Sequence, residues 1–111
     1  MVVERNRVRK KKRVKIRFGV DFPKRIAFTG DLSMVGLHVI TGQPEPPGTK
    51  LMIEISLPDD RQVVVSGRVR WAKKVPPNLI RMASKAGMGV RFIHFETGQQ
   101  ALEEYLEALR H

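Results

Sequence analysis

The sequence predicts an all-β fold, a six-stranded antiparallel β-barrel followed by a C-terminal α-helix. Three observations carry this prediction. Apolar and polar residues alternate through six short segments, which is the period of strands with one buried face. Turn-forming residues separate these segments, and only the last segment changes to helical spacing. Six strands with one apolar face each close most easily into a small barrel.

The first three strands are predicted over residues 14–20, 25–29 and 36–41. In the first strand, every second residue is apolar and is expected to face the core; these residues are Val14, Ile16, Phe18 and Val20. The segment 42–48 contains three prolines, which remove backbone donors and fix φ. This segment is therefore predicted to be a loop.

The fourth and fifth strands are predicted over residues 50–57 and 62–73, with a hairpin turn at 58–61 between them. Their expected core residues recur at every second position; they are Leu51, Ile53, Ile55 and Leu57, then Val63, Val65, Gly67, Val69 and Trp71. Residues 75–86 are predicted to form a Pro-Pro loop that contains a short helical turn at 79–83. The sixth strand, 88–94, places three apolar residues on a common face; they are Met88, Val90 and Phe92.

The C-terminal segment changes to the period of a helix. Thr97 with Gln100 fits a capping box, in which each side chain satisfies a free backbone N–H at a helix start. Apolar residues follow at helical spacing, with glutamates between them; they are Leu102, Tyr105, Leu106 and Leu109, with Glu103, Glu104 and Glu107 outside. The helix is expected either to cover one open end of the barrel or to pack on a second copy of the chain.

The positive charge of the chain is concentrated near its N-terminus. The formal net charge is +10, and residues 1–17 hold nine Lys or Arg against one acid, Glu4. Such a segment implies an anionic partner, which is nucleic acid, acidic lipid or a smaller phosphate-bearing ligand, unless the segment serves only as a solubilising tail. The 111 residues suffice for one domain. We expect a mobile basic arm over 1–13, a barrel over 14–95 and a helix over 97–110.

Composition argues against several classes of function. The absence of cysteine excludes disulfides and thiolate metal sites and suits a reducing cytoplasm, where the protein is expected to act. No apolar run approaches ~20 residues, so no membrane insertion is expected. His38, His94 and His111 are scattered without metal-ligand spacing, and His38 is interpreted as a half-buried or surface residue. The sequence therefore predicts no enzyme, no metal site and no bound cofactor.

Two clusters could bind a ligand. The first is RNRVRKKKR at residues 5–13, in which Arg5, Arg9 and Arg13 are four residues apart. The planar fork of arginine grips phosphate and the O6/N7 edge of guanine, and its plane stacks on bases. Arginine spacing alone, however, also fits a disordered basic arm.

The second cluster is the acid, hydroxyl and glycine of DLSMVG, which are Asp31, Ser33 and Gly36. A carboxylate can accept hydrogen bonds from the N1–H and the exocyclic amine of guanine, and a serine hydroxyl can donate to a phosphate oxygen. Glycine lets a ligand approach the backbone closely. The alternative is a local turn in which Asp31 and Ser33 cap the backbone.

Together the two clusters resemble the signature of the PilZ family, RxxxR followed by (D/N)xSxxG. The matching segments are RKKKR at 9–13 and DLSMVG at 31–36, and VRWAKK at 69–74 and GMGVRFIH at 87–94 resemble the last two strands of that family. The resemblance covers nearly the whole chain. It implies a six-stranded barrel that binds the bacterial second messenger cyclic di-GMP.

The resemblance also implies a role for each motif residue. Arg9 and Arg13 would hold guanine and phosphate, Asp31 the guanine edge and Ser33 a phosphate, and Gly36 would leave space for the ligand. Contributions are further expected from three neighbouring residues, which are Arg5, Val8 and Lys12. Arg5 and Arg9 also satisfy RxxxR, but the second arginine is expected close to the first strand, which favours Arg9 and Arg13.

The function implied is that of a non-catalytic cyclic di-GMP receptor. Ligand binding would order the arm and alter contacts with a separate, unidentified protein partner. A small barrel that binds single-stranded nucleic acid is the main alternative. It is disfavoured because Phe18, Phe92 and Trp71 are assigned to the core, and because Asp31 would repel a phosphate backbone. A partner-docking module that has the family fold but binds no nucleotide is a third interpretation.

Overall fold

The computed structural model describes residues 12–75 and 86–109, and these ranges contain six β-strands and one α-helix. The strands are β1 (Lys15–Gly19), β2 (Arg25–Leu32), β3 (Gly36–Ile40), β4 (Lys50–Ser56), β5 (Gln62–Lys73) and β6 (Gly87–Thr97). The helix α1 spans Gln99–Ala108. The helical turn predicted at 79–83 lies outside the described residues.

The strands close into a barrel in the order β1-β2-β3-β6-β5-β4. Each neighbouring pair is antiparallel. Closure depends on the short β1, whose five residues pair with Met52–Ser56 of β4 on one side and whose first four pair with β2 on the other. The predicted fold class, a six-stranded antiparallel barrel with a C-terminal helix, is confirmed.

Side chains from every strand and from α1 fill the barrel. Leu51, Ile53 and Ile55 of β4 have no exposed surface, which confirms the alternation predicted there. Fully burying one such side chain stabilises the fold by ~1.5–3 kcal/mol. The other strands contribute a comparable inner face; its buried residues include Ile16, Phe18, Leu32, Leu37, Val39, Val63, Val65, Val69, Met88 and Val90.

The predicted alternation is wrong at two positions. Val20 was expected in the core, but β1 ends at Gly19 and Val20 lies in the following turn with 54% of its surface exposed. Trp71 was also expected in the core and is 44% exposed. The pairing of β5 with β6 shifts between Val69 and Trp71, and such an irregularity breaks the regular alternation of the side chains.

The start of α1 also differs from the prediction. Thr97 is the last residue of β6, where it pairs with Val64, and the N-cap is Gly98 in the left-handed region with no side-chain cap. The Nε2 of Gln100 donates to Glu104 at 3.1 Å, so the predicted capping box is wrong. Leu102 and Leu106 are nevertheless buried in the barrel core, so the helix packs on its own barrel. No helix in the described ranges has the length and apolarity to cross a membrane.

The side chain of Arg61 bridges the β4–β5 turn and α1. Its guanidinium donates to Asp59 Oδ2 at 2.7 Å and to Glu104 Oε1 at 2.6 Å. Hydrogen bonding to Arg61 holds the pKa of Asp59 and the pKa of Glu104 below their ordinary values. All three side chains are substantially exposed, which limits the strength of the contact.

Replacing Arg61 with methionine is expected to lower the melting temperature by a few degrees at neutral pH. Because the two carboxyls have lowered pKa values, their stabilising effect is present above their ordinary pKa of roughly 4 and is lost as the pH falls through the folded-state pKa. Thermal unfolding of wild type and Arg61→Met, followed by circular dichroism from neutral pH to about pH 2, should therefore converge at the acid end.

The matched control is Arg68→Met, because the guanidinium of Arg68 donates to a backbone carbonyl, that of Gly48, at 2.8 Å. Any difference in melting temperature between Arg68→Met and wild type should therefore not change as carboxyl groups become protonated. A deficit of Arg61→Met that stays constant over the whole pH range would contradict the assigned role of the two acids.

Candidate functional site

A cleft of about 300 Å³ lies on the outer face of the barrel, across β2, β3, β6 and β5. A row of residues that pair across these strands builds its centre: Asp31 lies opposite His38, His38 opposite Gly89, and Gly89 opposite Trp71. The strand register thus brings together residues from distant parts of the sequence. The full lining consists of Asp31, Val35, Leu37, His38, Arg70, Trp71, Gly89, Val90 and Arg91.

Two aromatic rings form one side of this cleft. The rings of His38 and Trp71 are 5.3 Å apart between centroids and tilted by 44°. The indole of Trp71 lies so close to Gly89 that a Cβ at position 89 would overlap it. Only glycine at this position allows the indole to pack there. Nε2–H of His38 donates to the carbonyl of Ala86 at 3.0 Å, which confirms His38 as a half-buried residue held by a structural contact.

Arg70 and Arg91 add positive charge to the cleft. Both side chains are exposed, and Arg91 lies directly opposite Arg68 across β6 and β5. Like charges placed opposite each other destabilise a sheet unless a counter-charge lies between them. Within the described lining, Asp31 is the acidic residue. The cleft therefore combines guanidinium groups, two adjacent aromatic rings and one carboxylate, which suits a planar, anionic ligand.

The predicted motif residues separate into two groups. Asp31 is half-buried and lines the cleft. Ser33 has no exposed surface: its hydroxyl donates to the carbonyl of Gly36 at 3.3 Å and accepts from the N–H of Val35 at 3.2 Å. Gly36 packs so tightly against β6 that a Cβ would overlap the carbonyl oxygen of Val90. Ser33 and Gly36 thus close the β2–β3 turn that follows Asp31.

The end of the basic arm is fixed beside the same strand. The buried hydroxyl of Thr29 accepts from the N–H of Val14 at 3.0 Å and donates to the carbonyl of Lys12 at 2.5 Å. The N–H of Thr29 donates to the carbonyl of Val14 at 3.0 Å. Continuing the register of β1 with β2 by two residues places Arg13 level with Gly30, the neighbour of Asp31.

The structure thus brings the last residues of the first cluster close to the first residue of the second. Lys12 and Arg13 are both exposed at this position. The remaining predicted residues of the arm, Arg5, Val8 and Arg9, lie outside the described residues. The ligand contacts assigned to all of these residues stay predictions.

Eight of the nine cleft residues are absent from the predicted ligand site, although they include residues of VRWAKK and GMGVRFIH, which resemble family strands. Four of the eight offer a charge or an aromatic ring to a ligand; they are His38, Arg70, Trp71 and Arg91. Regular alternation along β5 predicts Trp71 inside the barrel, but the pairing of β5 with β6 is irregular between Val69 and Trp71. The signal in the sequence was the combination of exposed arginines and a tryptophan on two consecutive strands. In residues 12–75 and 86–109, no group of three His, Cys, Asp or Glu side chains is arranged to hold a metal.

Comparisons with known proteins agree with this architecture. The family model for the PilZ domain matches residues 4–108. The Bacillus subtilis inhibitor of motility (MotI/DgrA) is similar in structure, with a TM-score of 0.72 and 21% sequence identity; the match covers 93% of this chain and 49% of that one. The PilZ domain of CeSA from a cellulose synthesizing bacterium has a TM-score of 0.62 and 20% identity, over 94% and 99% of the two chains. No curated protein matches the sequence.

The chain spans about half the length of the MotI/DgrA chain. At these identities the two structures establish a shared fold.

Thr29→Val is expected to destabilise the protein by ~1–3 kcal/mol, because it removes the hydroxyl and leaves the N–H of Val14 without its acceptor. Valine keeps the shape of the side chain, so the loss isolates the hydrogen bonds. Denaturant unfolding of the variant measures the difference. Thr29→Ser is the control, since it keeps the hydroxyl and should lose less stability. A Thr29→Val variant as stable as wild type would show that these bonds do not hold the arm.

Proposed function

The chain belongs to the PilZ domain family, a family of cyclic di-GMP-binding modules, and we propose that it is itself a non-catalytic receptor for this messenger. The observation that carries the proposal is the cleft in which Asp31 lies beside the end of the basic arm. The setting proposed for it is a reducing cytoplasm, which a chain without cysteine suits.

The cleft offers the groups that one guanine nucleotide needs. Trp71 presents an aromatic ring on which a base can stack. Asp31 can accept the N1–H and the exocyclic amine of guanine, and Arg70 and Arg91 can neutralise phosphate. At about 300 Å³ the cleft is at the small end of ligand pockets, which range over roughly 300–1,000 Å³. The cleft is large enough for one of the two nucleotides of cyclic di-GMP, so the second nucleotide would have to contact another part of the protein.

The basic arm is proposed to contact the second nucleotide. Arg13 leaves β1 level with Gly30, and Arg9 lies four residues further along, a distance of up to roughly 13 Å in an extended chain. The two arginines would grip guanine and phosphate from the side opposite to Trp71. Lys12, Val8 and Arg5 would contribute further contacts or attraction.

Ser33 and Gly36 are proposed to act through the turn. The hydroxyl of Ser33 is buried and already makes two hydrogen bonds, so a direct bond to phosphate would require the turn to open. Holding the turn would instead keep Asp31 aimed at the cleft. Both residues would then position the site without contacting the ligand in this conformation.

Signalling is proposed to depend on ordering of the arm. Residues 1–11 contain five Lys or Arg and one acid, so the arm repels itself until an anion neutralises it. A ligand that binds both arm and cleft would fold the arm onto the barrel and create a new surface. A separate protein partner would read that surface.

Single-stranded nucleic acid is a second candidate ligand. The observation in its favour is that Trp71 is exposed in the cleft that Arg70 and Arg91 also line, which supplies an aromatic surface on which bases could stack. Asp31 argues against it, because a carboxylate in the cleft opposes a continuous phosphate backbone. The titration below separates the two ligands.

Arg9→Ala and Arg13→Ala are each expected to abolish binding of cyclic di-GMP. Loss of a charge-assisted, bidentate contact that leaves its partner desolvated costs roughly 2–5 kcal/mol. Isothermal titration of wild type and variants with cyclic di-GMP measures this, with GMP and a short oligonucleotide as reference ligands. Melting curves of the free proteins should be unchanged, since Arg13 is exposed outside the core.

Arg5→Ala is the matched control and should cost much less affinity. If Arg5→Ala proves worse than Arg13→Ala, the motif is formed by Arg5 and Arg9 instead. Unchanged affinity in both Arg9→Ala and Arg13→Ala would reject the site. Tighter binding of the oligonucleotide than of cyclic di-GMP would favour the second candidate, especially with a log–log salt slope steeper than about −5.

Asp31→Ala is expected to reduce the preference for cyclic di-GMP over cyclic di-AMP. A carboxylate beside an anionic ligand is unfavourable by charge alone, so its benefit must come from the two donors of the guanine edge, which adenine lacks. Affinity for cyclic di-GMP should therefore fall strongly and affinity for cyclic di-AMP little, as measured by titration of both ligands.

The melting curve of Asp31→Ala distinguishes this role from turn capping. If Asp31 only stabilises the local turn, the melting temperature should fall while the ratio of the two affinities stays as in wild type. Ser33→Ala provides the comparison, since its hydroxyl bonds are within the turn and its loss should lower the melting temperature.

A further inference from the structure

The exposed apolar side chains of the barrel are concentrated on one hairpin. Six large apolar side chains are exposed in the described residues, and four of them lie on the β1–β2 hairpin. We call these four the hairpin strip; they are Val20 (54% exposed), Phe22 (59%), Ile26 (57%) and Phe28 (46%). Single exposed apolar residues are ordinary, whereas the concentration of several on one hairpin suggests an interaction surface.

The hairpin strip runs along the outside of the barrel to its end. Ile26 and Phe28 are on the outward face of β2, and Val20 and Phe22 lie in the turn that joins β1 to β2. Phe28 pairs with the half-buried Ile40 on β3, which widens the strip by one strand. The strip is therefore a convex surface that runs from the β1–β2 turn to Phe28, three residues before Asp31 of the ligand cleft.

Basic side chains border the hairpin strip. Lys15 pairs with Phe28 and Arg17 with Ile26, so β1 supplies a cation beside each of the two strip residues on β2. The Nζ of Lys24 lies 5.4 Å from the centre of the Phe22 ring. The acids close to this surface are Asp21 in the turn and Glu54, which pairs with Arg17 from β4.

Apolar side chains beside cations on a convex surface fit the headgroup region of an anionic bilayer. There the apolar groups lie below the phosphates, and lysine and arginine reach up to them. A second copy of the chain fits poorly, because a two-fold contact over the strip would bring its bordering cations, Lys15, Arg17 and Lys24, close to the same cations of the other copy. We propose that the hairpin strip binds the surface of membranes that contain anionic lipid. This is peripheral contact, which differs from insertion of a spanning segment.

Flotation with lipid vesicles tests the proposal on the full chain. Wild type is expected to float with vesicles of phosphatidylcholine that contain phosphatidylglycerol and not with phosphatidylcholine alone. The double variant Phe22→Ser/Phe28→Ser should bind about tenfold more weakly, because it loses the apolar part of the contact. The control is Ile93→Ser, since Ile93 is 51% exposed on β6, which does not pair with the hairpin, and this change should have no effect.

A depth measurement separates the strip from the basic arm, whose charge would also attract anionic lipid. Phe22→Trp and Ile93→Trp, each combined with Trp71→Phe, place one tryptophan on the strip or on the control site. Lipids brominated on their acyl chains should quench the fluorescence of the first protein and not of the second.

The proposal is overturned if wild type does not bind the anionic vesicles. It is equally overturned if Phe22→Ser/Phe28→Ser binds them as wild type does, or if acyl-chain quenching is the same at positions 22 and 93. The last two results would assign vesicle binding to the charge of the arm and leave the strip as a contact for a protein.

Discussion

The two hydrogen bonds of the Thr29 hydroxyl hold the end of the basic arm next to β2, and the arrangement of the ligand site depends on them. The hydroxyl lies inside the barrel wall, accepts from the N–H of Val14 and donates to the carbonyl of Lys12. The two motifs are on different segments, and seventeen residues separate Arg13 from Asp31. The pairing of β1 with β2 brings the two segments together, but β1 begins only at Lys15, two residues after Arg13. The Thr29 bonds extend the alignment to Lys12 and so carry the last arginine of the arm to the level of the cleft.

The motif DLSMVG combines a residue that faces the cleft with the turn that holds it. Asp31 lines the cleft, whereas Ser33 and Gly36 bond to each other and pack against β6. The two interpretations of this motif, ligand site and capped turn, are therefore compatible, because they apply to different residues. A carboxylate selects a ligand only if its position is fixed, since mispaired groups cost free energy only in a site that cannot relax. Under the proposed function, the turn held by Ser33 and Gly36 would fix the position of Asp31 and so let it discriminate between bases.

Local pattern predicted most of the barrel, and it failed where pairing with a partner strand decides the outcome. The period of two in Leu51, Ile53 and Ile55 is visible in the sequence and is fully borne out by their burial. The exposure of Trp71 follows from the irregular register between β5 and β6, which no local pattern encodes. Likewise, Thr97 belongs to β6 because it pairs with Val64, and this pairing overrides its preference for a helix cap. The cleft was only partly predictable for the same reason, since the strand order and register bring Arg91 and Trp71 into the same cleft as Asp31.

The distribution of charge separates attraction from recognition. Residues 1–17 carry a net charge of +8 from nine basic residues and one acid, and the other 94 residues carry +2. A basic segment attracts any phosphate ligand, since Coulomb attraction over a Debye length of about 10 Å carries little structural information. The barrel, residues 14–95, also carries a net charge of +7, from thirteen basic and six acidic residues, but this charge is spread over six times as many residues as the +6 of the arm, residues 1–13. The barrel cleft adds groups that can recognise a base, which are an aromatic ring, a carboxylate and two guanidinium groups. If the charge of the arm were added to the cleft, whose charged lining residues are Arg70, Arg91 and Asp31, attraction to phosphate would outweigh a hydrogen bond between Asp31 and a base. The proposed receptor therefore combines a densely charged arm, which would attract anionic ligands, with a cleft whose carboxylate would discriminate between their bases.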